Sequence, residues 1–100
     1  MKVRFTLEAL SAIRVKRDWW EANREKAPQL FREELEAVIA ELSEGRFERA
    51  QLYTVVASEK IWRLRMPKTK AHVYYRVDSA RQVVEIITVW NATSGEGPTF

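Results

Sequence analysis

Ile61-Trp62-Arg63-Leu64-Arg65-Met66, then Pro67-Lys68-Thr69-Lys70, then Ala71-His72-Val73-Tyr74-Tyr75-Arg76-Val77: two runs rich in β-branched and aromatic residues flank a short polar turn. Side chains alternate across a strand, so Trp62, Leu64 and Met66 form one set and Arg63 and Arg65 the other. The second run divides the same way, into Val73, Tyr75 and Val77 against His72, Tyr74 and Arg76. Two such runs joined by so short a turn predict an antiparallel hairpin with one apolar and one basic face.

Outward from this hairpin, Gln51 to Ala57 and Gln82 to Trp90 have the same composition, and Ser58-Glu59-Lys60 and Asp78-Ser79-Ala80-Arg81 supply the turns. The C-terminal half therefore reads as a meander of strands. Before it, Phe31, Leu35, Val38, Ile39 and Leu42 recur at helical spacing, and Gly45 offers a C-cap. Pro28 breaks this helix from an earlier one, whose apolar face is read from Leu10, Ile13 and Trp20 and whose end falls near Asn23 to Lys26. Of Trp19-Trp20, one ring is expected in the core and the other in a seam between elements. Val3-Arg4-Phe5 alternates as a short strand, and Thr6 stands at the N-cap position with Glu8 in the first turn. The expected fold is α+β in the order β-α-α-β-β-β-β, a helical hairpin packed on one face of a sheet.

One hundred residues, 46% of them hydrophobic, suit a single domain spanning 1–100. Without cysteine and with one histidine, the chain lacks disulfides, thiolate chemistry and the usual zinc ligand sets, so neither metal nor cofactor is expected. The opening segment runs into a polar helical pattern without the apolar stretch of a signal peptide or membrane span, which points to a cytoplasmic protein with no membrane partner.

Charge is unevenly placed. Residues 1–50 hold ten Lys or Arg against ten Asp or Glu, whereas residues 51–100 hold seven against four. Lys60, Arg63, Arg65, Lys68, Lys70 and Arg76 follow one another with no acid between them. Like charges across neighbouring strands repel, and an anionic partner is the simplest reason to gather them. Charge alone does not choose between nucleic acid and an acidic peptide segment. The candidate basic face comprises Lys60, Arg63, Arg65, Lys68, Lys70, His72, Tyr74 and Arg76. His72 is the one side chain whose ordinary pKa lies near neutrality, which makes it the candidate general base. Glu33, Glu34 and Glu36 fall on the polar side of the second helix and read as solvated.

Trp62-Arg63-Leu64-Arg65-Met66-Pro67, His72-Val73-Tyr74-Tyr75-Arg76-Val77-Asp78 and Val84-Glu85-Ile86-Ile87-Thr88-Val89-Trp90 resemble the C-terminal half of the RelE/ParE toxins. The resemblance extends to Phe5-Thr6 with Ala9 and to the helical hairpin broken near Pro28. It implies the toxin of a type II toxin–antitoxin pair, neutralised by a protein antitoxin. ParE-like members poison DNA gyrase; RelE-like members cut mRNA on the ribosome. After Trp90 the sequence has no Tyr, His, Lys or Arg, where ribonuclease members commonly place one, and this favours the gyrase branch. The ribonuclease alternative would rest on His72 with Arg63, Arg65 and Arg76. A family member without toxicity, kept for binding or regulation, is the third alternative.

Overall fold

The computed structural model describes residues 1–91 and 97–100. Strand β1 (Lys2–Phe5) is followed by helices α1 (Leu7–Asn23) and α2 (Leu30–Ser43), then by β2 (Gln51–Val56), β3 (Glu59–Met66), β4 (Ala71–Asp78) and β5 (Val83–Asn91). This is the expected order. The five strands form one sheet, β1-β5-β4-β3-β2, in which the four later strands make the antiparallel meander. Strand β1 joins it in parallel to β5, with Lys2 against Val83 and Phe5 against Ile86.

Thr6 carries the chain from β1 into α1. Its hydroxyl oxygen accepts from the Ala9 amide at 3.0 Å, capping the helix, and its hydroxyl donates to the Ile87 carbonyl at 2.7 Å. Ile87 is the extra residue of a β-bulge, because Tyr74 opposes Thr88 while Tyr75 opposes Ile86. The cap thus ties the helix start to the irregular point of β5. At the other end of the hairpin, Gly45 (φ 72°) follows the last turn of α2 in the left-handed conformation that glycine adopts at least cost.

The core lies between the helices and one face of the sheet. Phe31, Leu35, Val38 and Leu42 of α2 and Ala9 of α1 meet Leu64, Met66, Val73, Tyr75, Val84, Ile86 and Val89, with Ile13 and Trp20 at its margin. Leu10 does not belong to this set: it is 51% exposed, because the buried side of α1 runs through Ala9, Ile13 and Trp20. Trp19 also departs from expectation. It remains 48% exposed, set edge-on to Trp20 at 5.7 Å with the Arg24 guanidinium over both rings.

The β2–β3 connection is tighter than the three-residue turn read from the sequence. Val56 opposes Glu59, leaving Ala57 (φ 49°) and Ser58 (φ 69°) as a two-residue turn with both residues left-handed, the type I′ pattern. Among the described residues no helix is long and apolar enough to cross a membrane.

Candidate functional site

The register brings three rows of side chains onto the sheet face opposite the helices. Arg65 opposes His72, and His72 opposes Trp90, so one row reads Arg65, His72, Trp90 across β3, β4 and β5. The next row is Arg63, Tyr74, Thr88. A third contains Arg76, Glu85 and Arg4. Directly opposed side chains stand about 5 Å apart at Cβ, so each row is a set of neighbours.

The three rows differ in character. Arg76 donates to Glu85 through Nε at 2.8 Å and through a second nitrogen, and to Glu59 at 3.2 Å; Glu85 also accepts from Arg4 at 3.4 Å. The charge on Arg76 is therefore balanced by acids lying outside the acid-free stretch, and this end of the face is an ion-pair ladder rather than an anion site.

In the middle row Tyr74 is 1% exposed, so it is a floor and not a contact surface. Tyr53 packs on it edge-on at 4.8 Å, and Phe100 lies 5.9 Å away. The Tyr53 hydroxyl donates to the Pro98 carbonyl at 2.8 Å, and a Cβ on Gly97 would stand 2.2 Å from that hydroxyl oxygen, so segment 97–100 is seated closely over Tyr53. Burial raises the Tyr74 pKa, opposed by a hydrogen bond with Arg63. Arg63 is partly buried: its guanidinium lies 5.4 Å from the Tyr53 ring centre, and its Nε is enclosed without a hydrogen-bond partner.

The first row is the open one. Arg65 is exposed, and Trp90, 38% exposed, offers an aromatic ring on the far side of His72. The His72 pKa is lowered, first by burial and then by the Arg63 and Arg65 charges, so the imidazole is neutral at physiological pH. A neutral imidazole can accept a proton, and Arg65 can stabilise negative charge next to it. Lys68 and Lys70, exposed in the adjoining turn, extend the positive surface past the row. Lys60 does not contribute. It shares the parity of Trp62, and its ammonium lies 6.0 Å from that ring on the side of the sheet that the helices cover elsewhere.

Of the eight expected residues, then, Arg63, Arg65 and His72 gather over Tyr74, Lys68 and Lys70 border them, and Arg76 and Lys60 serve elsewhere. Trp90 was absent from the expected set, although the alternation of β5 opposite His72 carries the signal. Glu34 is not simply solvated: its carboxylate accepts from the Thr69 amide at 2.8 Å and the Lys68 amide at 3.1 Å, closing the turn between β3 and β4. The expectation drawn from the lack of Tyr, His, Lys or Arg after Trp90 falls partly on 92–96, outside the described residues. Among the described residues no three His, Asp or Glu side chains come together as a metal site would require.

No protein-family model matches the chain, nor does any curated protein sequence. Solved structures do. The chain is similar to a chain of the toxin–antitoxin complex RelBE2 from Mycobacterium tuberculosis, with a TM-score of 0.62 at 18% identity over 90% of this chain and 95% of that one. It is also similar to a chain of the archaeal RelE–RelB complex from Pyrococcus horikoshii OT3, with a TM-score of 0.56 at 13% identity over 94% and 97%. The chain shares the fold of these two chains. At these identities the likeness is one of architecture, and on a shared fold the chemistry follows from the side chains a particular chain displays. Here the helix-free face displays a cation, a neutral imidazole and an indole in one row.

Proposed function

We propose that this chain is the toxin of a type II toxin–antitoxin pair and that it cleaves single-stranded RNA, as presented in a translated message, with a protein antitoxin as its neutralising partner. The observation that carries this reading is the Arg65–His72–Trp90 row: a general base and a charge-stabilising cation for phosphodiester cleavage stand side by side, with an aromatic ring next to them. The relation of the fold to two toxin–antitoxin complexes supports the antitoxin partner.

In this reaction the indole of Trp90 stacks on a base, which places the adjoining ribose over His72. Neutral His72 takes the proton from the 2′-hydroxyl, whose oxygen attacks the neighbouring phosphorus. Arg65 stabilises the extra negative charge on the phosphoryl oxygens as the bond to the 5′-oxygen breaks. The products are a 2′,3′-cyclic phosphate and a 5′-hydroxyl, the departing 5′-oxygen taking its proton from water.

Primer extension on messages translated in a purified system tests this. His72→Ala is expected to lower the cleavage rate by about 10²–10⁴-fold, the usual contribution of a general base, and Arg65→Ala by about 10²-fold. Cleavage at the wild-type rate by His72→Ala would remove the proposed chemistry.

One observation favours a second reading. The sequence after Trp90 carries no Tyr, His, Lys or Arg to protonate the leaving oxygen, and a face without that group could instead dock on DNA gyrase. Inhibition of gyrase supercoiling, equally strong with His72→Ala, would decide for docking.

A further inference from the structure

Strand β3 outruns its neighbour. Pairing with β2 stops where Gln51 meets Arg63, while pairing with β4 continues through Arg65 and Met66. The stretch that presents Arg65 therefore lacks the strand support that holds Arg63. In its place Arg49, in the connection between α2 and β2, donates from an Nη to the Arg65 backbone carbonyl at 3.2 Å.

Arg49 is itself held. Its Nε and other Nη donate to the Glu41 carboxylate at 3.2 Å and 2.9 Å, a bidentate geometry that fixes the guanidinium plane. The hydrogen bond to Glu41 is the first cause of a raised Arg49 pKa, so the guanidinium stays charged. Glu41 is 14% exposed and belongs to α2, whose buried face packs into the core. Seven residues earlier, two helical turns away on the same side, Glu34 takes the Lys68 and Thr69 amides. The helix layer thus grips the hairpin at two points, one at the turn and one behind Arg65.

We propose that Glu41 and Arg49 are positioning residues that hold the β3 backbone so that the Arg65 guanidinium stands beside His72, neither of them touching RNA. The role of Arg65 in cleavage rests on the function proposed above; its placement beside His72 does not.

The chain has one histidine, so a single imidazole signal reports on that placement by NMR. The charged and titratable groups that face His72 are Arg63 and Arg65 of β3 and Tyr74 of its own strand, with Trp90 opposite on β5. If Arg65 moves away, one of the two charges that disfavour imidazolium weakens, and the His72 pKa rises toward its ordinary value. Arg49→Ala and Glu41→Ala are both expected to produce this rise. A direct field effect would separate them, because loss of the Arg49 cation raises the pKa and loss of the Glu41 anion lowers it. Arg46→Ala removes a neighbouring cation whose partner is Glu44, and it is expected to leave the signal unmoved.

A lowered or unchanged His72 pKa in Glu41→Ala, with the amide spectrum still that of the folded chain, would overturn the proposal. Arg49→Lys serves as a milder variant should Ala unfold the chain: its ammonium reaches one acceptor at a time, so it is expected to fall between wild type and Arg49→Ala. A titration that moves as expected in a chain that cuts no RNA keeps the positioning role and removes the function. A titration that does not move removes the positioning role, whatever the RNA shows. Where RNA is cut, kcat is expected to fall by about tenfold at nearly constant KM, since the lost interaction belongs to the transition state.

Discussion

His72 is the residue whose chemistry can be followed most directly. Burial and two arginines lower its folded-state pKa beneath the unfolded value, so between the two values the unfolded chain binds the additional proton. Stability therefore rises with pH through the window that ends near 6.5 and is lost on acidification through it. Urea unfolding measured between pH 5 and 7.5 is expected to show this slope and to lose that component in His72→Gln; the same slope in both proteins would contradict the assignment. Cleavage, needing the neutral imidazole, should lose activity on the acid side of the same window. Arg63, one strand away from His72, shows how little formal charge says about availability. Partly buried against Tyr53, it acts as much on the imidazole field as on any ligand.

At the scale of elements, the hairpin β3–β4 was legible because its alternation is strict: Leu64, Met66, Val73 and Tyr75 are buried in the core, and Arg63, Arg65 and His72 share the other side. Four features were not legible, each for a physical reason. The counter-ions of Arg76 come from Glu59, one residue before the acid-free run, and from Glu85 on the next strand, where only register brings them together. The cover over Tyr74 comes from Tyr53 at a bulge in β2 and from Phe100, neither adjacent in sequence. The buried side of α1 depends on how the helix leaves Thr6, which the spacing of Leu10, Ile13 and Trp20 could not supply. The β2–β3 turn was misread because Ala57 and Ser58 carry none of the usual signals of a two-residue hairpin loop, although both are left-handed. An asparagine followed by a glycine suits that backbone without strain, and Ala57→Asn with Ser58→Gly is expected to add about 1 kcal/mol of stability, read as a higher urea midpoint at constant m-value. A lower midpoint would mean that the turn is held by contacts beyond its backbone.

Taken whole, the molecule concentrates its usable positive charge at one end of the helix-free face. In the proposed function Arg63, Arg65, Lys68 and Lys70 are the cations that would meet phosphates, whereas Arg76 is neutralised and Lys60 lies off the face. Four contacts to single-stranded RNA give a slope of log Kobs against log salt of about −3, and six would give about −4. Fluorescence anisotropy with a short RNA across a salt series distinguishes the two, and a slope near zero would deny an electrostatic interface. The whole-molecule topology adds a consequence in time. Because Lys2 lies against Val83 and the helices bury themselves on Val84, Ile86 and Val89, neither the first strand nor the core is complete until β5 has been synthesised. A nascent chain has its helices early and waits with their apolar sides uncovered. The row that ends at Trp90 is assembled last, so a ribosome making this protein has read through both helices and all five strands before that face exists.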